Sequence, residues 1–254
     1  TLTLSESPFS RRLYMGFQSS RMKKYENKVL NNFDQIISVS AVDEHFFSSI
    51  GCVAPVRTIP VSVDPEIYEH HYKLSSHKSI GYIGTMDWQP NVEGLNWFME
   101  EVWPAIKQLD SGIVFHLAGK NIPREYHQQS DPALLVEGEV ESALEFIARQ
   151  HVFIVPLLSG SGMRVKIIEA MALGKCVIAT SIAAEGIHYL HDKNILIADK
   201  ADDFYKQILR CFTDKNLVNR IGQQAKKLVE RNHHNKNCGK SLLAVYRELC
   251  DNRQ

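Results

Sequence analysis

The chain has 254 residues, 44% of them hydrophobic and 23% charged, a globular composition with enough apolar surface for a substantial core. Lys plus Arg and Asp plus Glu balance at 29 each, so no chain-wide basic excess supports nucleic-acid binding. Five cysteines (Cys52, Cys176, Cys211, Cys238, Cys250), an odd number with no CxxC pair, disfavour a disulfide scaffold or a structural zinc site and fit a reducing, cytoplasmic compartment.

No apolar run approaches the ~20 residues of a membrane-spanning helix, and no secretory signal pattern is read at the start. The chain opens on Thr1 and enters abruptly, which gives the expectation of a fragment whose N-terminal part is absent. In residues 9–32, Leu13, Phe17, Met22, Tyr25, Val29 and Leu30 recur near helical spacing and predict a helix, with Met15 and Met22 read as core. A strand is predicted over 35–40, with Ser40 placed to cap the next helix. Another, over 56–61, stops at Val63-Asp64-Pro65. Residues 66–78 are polar and His-rich and read as a linker. Beyond them, short apolar runs predict strands over 79–84, 113–118, 134–136, 152–156, 176–180 and 194–197. Helices are predicted over 91–108, 141–150 and 162–173, and from Asp202, Asn216 and about Lys240. This alternation predicts a doubly wound, Rossmann-like α/β domain with a parallel sheet covered on both faces. The expected organisation is therefore residues 1–65 as the end of a truncated α/β domain, 66–78 as hinge and 79–254 as a ligand-binding domain.

In such sheets ligands sit beyond the carboxyl ends of the strands. The loop Gly84-Thr85-Met86-Asp87-Trp88-Gln89-Pro90-Asn91 has a glycine at a strand end, where backbone can approach a ligand, and Asn91 placed as a helix cap. A second loop, Ser159-Gly160-Ser161-Gly162-Met163, precedes a helix whose first turn carries Arg164 and Lys166. Helix N–H groups and two cations together favour an anion such as a diphosphate. Glu169 follows among apolar neighbours, half-buried and placed to accept hydrogen bonds from a ribose or sugar diol. The third loop, 180–187, contributes Glu185 to the pocket wall, with a purely structural turn as the equal alternative. Val165 breaks the GxGxxG pattern, and neither Gly119-Lys120 nor Gly174-Lys175 belongs to a P-loop. His233-His234 lacks a metal-site context and reads as a solvated helix end. No metal site is expected.

Several of these segments carry a family resemblance. The stretch Ile83–Asn91 with Trp97-Phe98 and Glu101-Val102-Trp103-Pro104, the block Gly160-Ser161-Gly162, Arg164-Val165-Lys166 and Glu169–Lys175, and Ala184-Glu185-Gly186 resemble retaining, nucleotide-sugar-dependent glycosyltransferases of GT-B fold, group 1 type. The resemblance spans nearly the whole chain. It implies that residues 1–65 end an N-terminal acceptor domain and that 79–254 bind the donor, a nucleoside-diphosphate sugar, with no cofactor or metal required. Typical members carry two donor-site glutamates eight positions apart. Glu169 matches the second, a ribose contact, whereas Ser161 stands at the first, so sugar contact falls to Ser161 or the backbone of 160–163. Gly119 and Gly138 correspond to the loops that hold the base. The implied reaction is hexosyl transfer with retention to a glycan or lipid-linked acceptor, as in surface polysaccharide or glycolipid assembly. The acceptor site then lies in the absent part, and the isolated fragment is expected to be inactive. The rival readings are a nucleotide-sugar epimerase of the same architecture and a non-catalytic donor-binding or partner domain. The basic segment 9–32, with Arg11, Arg12, Arg21, Lys23, Lys24 and Lys28 against Glu26, reads first as a solvated helix face. Peripheral contact with the inner membrane face is its alternative.

Overall fold

The computed structural model describes residues 9–69, 78–109, 112–128, 131–214 and 216–251. The chain divides into two compact units, one built from the residues up to Ser62 together with those from Asn235 onward, the other from Val63–His234. The first unit begins with helix α1 (Phe9–Val29) and a 3-10 turn (Leu30–Asn32). Strands β1 (Ile36–Ser38) and β2 (Val56–Thr58) pair in parallel, Ile36 opposite Val56, across helix α2 (Ala41–Ser49). Ser40 caps α2 as expected: its Oγ accepts the Asp43 N–H at 3.1 Å. The apolar residues of α1 are not core. Leu13, Met15, Phe17, Met22 and Tyr25 all lie exposed.

The second unit opens with α3 (Pro65–Glu69), inside what reads as linker. Pro65 has the fixed φ that suits a first helical turn, and Tyr68 is buried against the core, so the linker does not begin at residue 66. Residues 70–77 of that predicted linker lie outside the described residues. Six strands follow: β3 (Ser79–Ile83), β4 (Val114–Ala118), β5 (Leu134–Gly138), β6 (Val152–Val155), β7 (Cys176–Ala179) and β8 (Leu196–Ile197). They form one sheet in the order β5-β4-β3-β6-β7-β8, with every pairing parallel. This is the doubly wound α/β fold expected from the sequence. The direction of strand addition reverses between β3 and β6, where such sheets open a crevice at their carboxyl ends.

Period-two alternation sorts the strand side chains between two cores. Ile80, Tyr82, Val152, Ile154, Cys176 and Ile178 enter one, and Phe153, Val155, Val177 and Ala179 the other. The first core is closed by α4 (Gln89–Trp97), a π-helical turn (Phe98–Val102), α5 (Trp103–Leu109) and α9 (Ala201–Thr213). The second is closed by α7 (Ala143–Ala148) and α8 (Val165–Ala172), while α10 (Leu217–Asn232) contributes to both; the short α6 (Arg124–His127) precedes β5. The π turn interrupts what the sequence presents as a single helix and keeps Phe98, Val102 and Trp103 buried together. The last helix, α11 (Asn235–Asp251), starts five residues ahead of Lys240. It groups with the first unit rather than the second, so the compact units differ from a division at residue 65 followed by one domain to residue 254. Sequence order does not reveal that non-local association.

Candidate functional site: a cationic crevice where the strand order reverses

The two loops flanking the reversal are 84–88, after β3, and 156–164, after β6. Glycines bring neighbouring strand ends together beneath the first. The Gly84 N–H donates to the Ala118 carbonyl at 3.1 Å, and the Gly119 N–H to the Gly138 carbonyl at 2.8 Å. Gly119 has φ +140°, and a Cβ there would run into the Gly84 carbonyl, so only glycine fits. Above this floor the Asp87 carboxylate is held by Thr85 Oγ1 at 3.0 Å and by Asn121 Nδ2 at 2.9 Å. Asp87 is therefore already engaged by its own loop and by the segment after β4.

Asn91 does not cap α4. The helix starts two residues earlier, with Trp88 as N-cap and Pro90 in its first turn. Asn91 is buried instead: Nδ2 donates to the Thr85 carbonyl at 2.8 Å, and Oδ1 accepts from Lys166 Nζ at 3.1 Å. Lys166, on α8, thus reaches across the reversal to β3. Its ammonium also donates to the Ile83 carbonyl at 3.0 Å and sits 4.9 Å from the centre of the Tyr82 ring. Among the described residues no carboxylate pairs with it. Burial, reinforced by the neighbouring Arg164 charge, pulls its pKa from 10.5 down to about 7.

Arg164 stands at the N-cap of α8 rather than within its first turn. Nη1 donates to the Ser161 carbonyl at 2.5 Å and to the Gly162 carbonyl, and the guanidinium lies 5.0 Å over the Trp88 ring. Gly160, at φ +104°, makes room for this stack: a Cβ there would come 2.8 Å from Arg164 Nη2 and 3.1 Å from Trp88 Cζ2. The residue is only 7% exposed, yet Nε and Nη2 are buried with no hydrogen-bond acceptor among the described residues. Burial lowers its pKa, and the Glu185 charge opposes that shift, which places Glu185 within electrostatic reach. Ser161 and Gly162 are exposed at the loop tip, and Met163 is partly buried against the second core.

One turn further along α8, Glu169 is half-buried with no hydrogen bond or ion pair among the described residues, and burial raises its pKa. Its charge acts on Tyr68, whose pKa rises to about 12 through burial, Glu169 and Asp64 in that order. The phenol thus remains a hydrogen-bond donor at neutral pH. The structure therefore brings Gly84, Asn91, Gly160, Arg164 and Lys166 into one cluster. Thr85 and Asp87 form an internally bonded rim, Gly119 and Gly138 a backbone floor, and Glu169 a separate position beside Tyr68. Sequence reasoning missed Tyr68, Tyr82, Trp88 as a cation platform, Glu93 and Asn121. Among these, only Trp88 carried a signal, as an aromatic residue in a polar loop. His233 is also a correction: it is 1% exposed, not a solvated helix end. Among the described residues, no group of three or more His, Cys, Asp or Glu side chains converges as a metal site. No helix there is long and apolar enough to cross a membrane.

Comparison with known proteins gives this geometry a family. Residues 77–214, more than half of the chain, match the family described as glycosyl transferases group 1. The chain is 24% identical over 248 residues to an uncharacterized 44.6 kDa protein in the cps region of Klebsiella pneumoniae, covering 93% of this chain and 62% of that protein. It therefore spans less than two thirds of that relative's length. Its fold is similar to a glycosyltransferase from Rickettsia africae, with TM-score 0.75 and 17% identity over 91% of this chain and 68% of that one. Sucrose-phosphate synthase from Thermosynechococcus elongatus gives TM-score 0.72 and 18% identity over 91% and 62%. Anabaena HepE, solved in complex with UDP and glucose, gives 0.70 and 15% over 89% and 66%. The chain belongs to the group 1 glycosyl transferases.

Proposed function

We propose that the protein is a retaining glycosyltransferase and that the crevice between β3 and β6 binds its donor, a nucleoside-diphosphate sugar. One observation carries this reading. Arg164 is a buried cation and Lys166 a part-buried one, neither with a carboxylate partner among the described residues, the first with orphaned N–H donors and the second pulled down to about 7. A diphosphate supplies acceptors for the orphaned Arg164 donors and a negative charge for both cations. The open N–H groups at the start of α8 point to the same ligand. Glu169 accepts from the ribose diol, and the backbone about Gly119 and Gly138 frames the base. The loop 160–163 lies toward the sugar. HepE was solved with UDP, which makes a uridine diphosphate the first donor to try.

As the bond from the anomeric carbon to the diphosphate breaks, negative charge accumulates on the leaving phosphate. Arg164 and Lys166 then bind that charge more strongly than in the ground state, which lowers the barrier. These cations take the part a divalent ion plays elsewhere, so the reaction needs no metal. The acceptor, a glycan or lipid-linked sugar, binds to parts of the protein beyond this chain, and the chain alone holds donor without turning it over. The test is to incubate the full-length protein with UDP-, GDP- and ADP-hexoses, with and without EDTA, and to follow the anomeric signal of the product by NMR. Transfer with the donor's anomeric configuration kept, unaffected by EDTA, supports the reading. Inversion, or an epimerised sugar without transfer, overturns it.

A further inference from the structure

We infer that Glu93, on α4, supplies the carboxylate that holds hydroxyl groups of the transferred sugar. The inference rests on the donor-site reading above and assigns the sugar subsite within it. Glu93 lies in the second turn of the helix that leaves the 84–88 loop. That helix runs hard against the opposite wall, because a Cβ on Gly94 would collide with the Pro156 carbonyl. The Glu93 side chain therefore reaches the 156–164 loop, where Oε2 accepts a hydrogen bond from the buried Ser159 hydroxyl at 2.9 Å. Glu93 is half-buried, and among the described residues that hydroxyl is its sole partner. An ionised carboxylate offers about four acceptor positions, so most of its capacity is open.

The charges about the 156–164 loop and the start of α8 are thus sorted. Arg164 is folded onto the Ser161 and Gly162 carbonyls and over Trp88, and Lys166 is turned down to β3; neither neutralises Glu93. A diphosphate is drawn to the two cations and repelled by the carboxylate. A neutral hexose, rich in O–H donors, has the opposite preference and is drawn to Glu93. Ser159 spends its only proton on Oε2 and so fixes the orientation of the carboxylate. Ser161, exposed in the same loop, offers only a hydroxyl.

The experiment compares free diphosphates (UDP, GDP, ADP) with their hexose conjugates by titration calorimetry on full-length protein. Wild type is set against Glu93→Ala, Glu93→Gln and Ser159→Ala. The expected result for Glu93→Ala is a loss of about tenfold or more in affinity for the conjugate, the size of one charge-assisted hydrogen bond. The free diphosphate should change by less than about twofold. Glu93→Gln keeps an acceptor for Ser159 and should show the same selectivity with a smaller loss, which preserves the test where the alanine variant fails to fold. Ser159→Ala should weaken conjugate binding less than Glu93→Ala. If Glu93→Ala and Ser159→Ala weaken diphosphate and conjugate equally, or leave both unchanged, the bond only pins the loop and the inference fails. Absence of binding to every diphosphate and conjugate in wild type overturns the donor-site reading itself, and the inference with it.

Discussion

Lys166 offers the sharpest physical prediction. Its folded-state pKa of about 7 lies below the 10.5 of an unperturbed lysine. Between those values the unfolded chain binds a proton that the folded chain does not, so stability rises with pH through this window. Below about pH 7 both states are protonated, and the folded protein carries the full cost of the buried ammonium. Lys166→Met removes the titration while keeping a chain of similar length. Weighting the slope of about 1.4 kcal/mol per pH unit by the protonation difference, wild type should gain about 2 kcal/mol relative to Lys166→Met from pH 7 to pH 9. Urea unfolding of both proteins at pH 7, 8 and 9 measures this directly, and contributions common to both, including buried Lys175, cancel. A difference that stays flat across the range would refute the assignment of a desolvated, anion-free lysine. The same group makes a second readout available. A bound diphosphate favours the ammonium, so binding at pH 8 should take up about one proton, seen as a buffer dependence of the binding enthalpy that Lys166→Met abolishes.

Further predictions follow from other parts of the site. Burial raises the Glu169 pKa, so nucleotide affinity should fall as the pH drops into the acid range and the carboxylate protonates. Glu169→Gln should bind about tenfold more weakly at neutral pH and lose that acid sensitivity; an unchanged pH profile would exclude the ribose contact. Gly119→Ala should destabilise the protein by about 2–4 kcal/mol in urea unfolding, because its Cβ meets the Gly84 carbonyl at a φ of +140°; a loss below about 0.5 kcal/mol would contradict the close strand-end packing. On α1, the exposed Leu13, Tyr14, Met15 and Phe17 spread over more than half of the helix circumference rather than forming one narrow stripe. An interfacial helix needs a single apolar face, so the protein should show no salt-sensitive flotation with anionic liposomes, and flotation would restore the membrane alternative.

The order of strands and helices was legible because the central strands are buried on both faces. Val-Phe-Ile-Val in β6 and Cys-Val-Ile-Ala in β7 are unbroken apolar runs, and glycines or polar clusters separate them from amphipathic helices. The helix from Asn235 was harder to place, since its first turns, Asn-Lys-Asn-Cys-Gly-Lys, carry few apolar residues. The apolar spacing of α1 looked like a core face, yet spacing alone does not say what a face packs against. At the site, the sequence marked the loops that flank the strand-order reversal and the pair Arg164 and Lys166, because glycines and cations before a helix have few structural reasons to coincide. It did not show that Arg164 folds back over Trp88, or that Lys166 crosses the strand-order reversal to meet Asn91. Those contacts join residues 75 or more positions apart and depend on which strands neighbour each other. Tyr68 and Glu93 escaped notice for the same reason, each being an ordinary helical residue until the opposite wall is in place.

The most direct test of the donor site is calorimetric titration of the protein with UDP, GDP and ADP, beside its Arg164→Ala variant. One diphosphate is expected to bind the wild-type protein in the presence of EDTA, and Arg164→Ala to weaken it by about tenfold or more, since two buried N–H donors and a charge are lost. Equal binding by wild type and Arg164→Ala, or none by wild type, would contradict it.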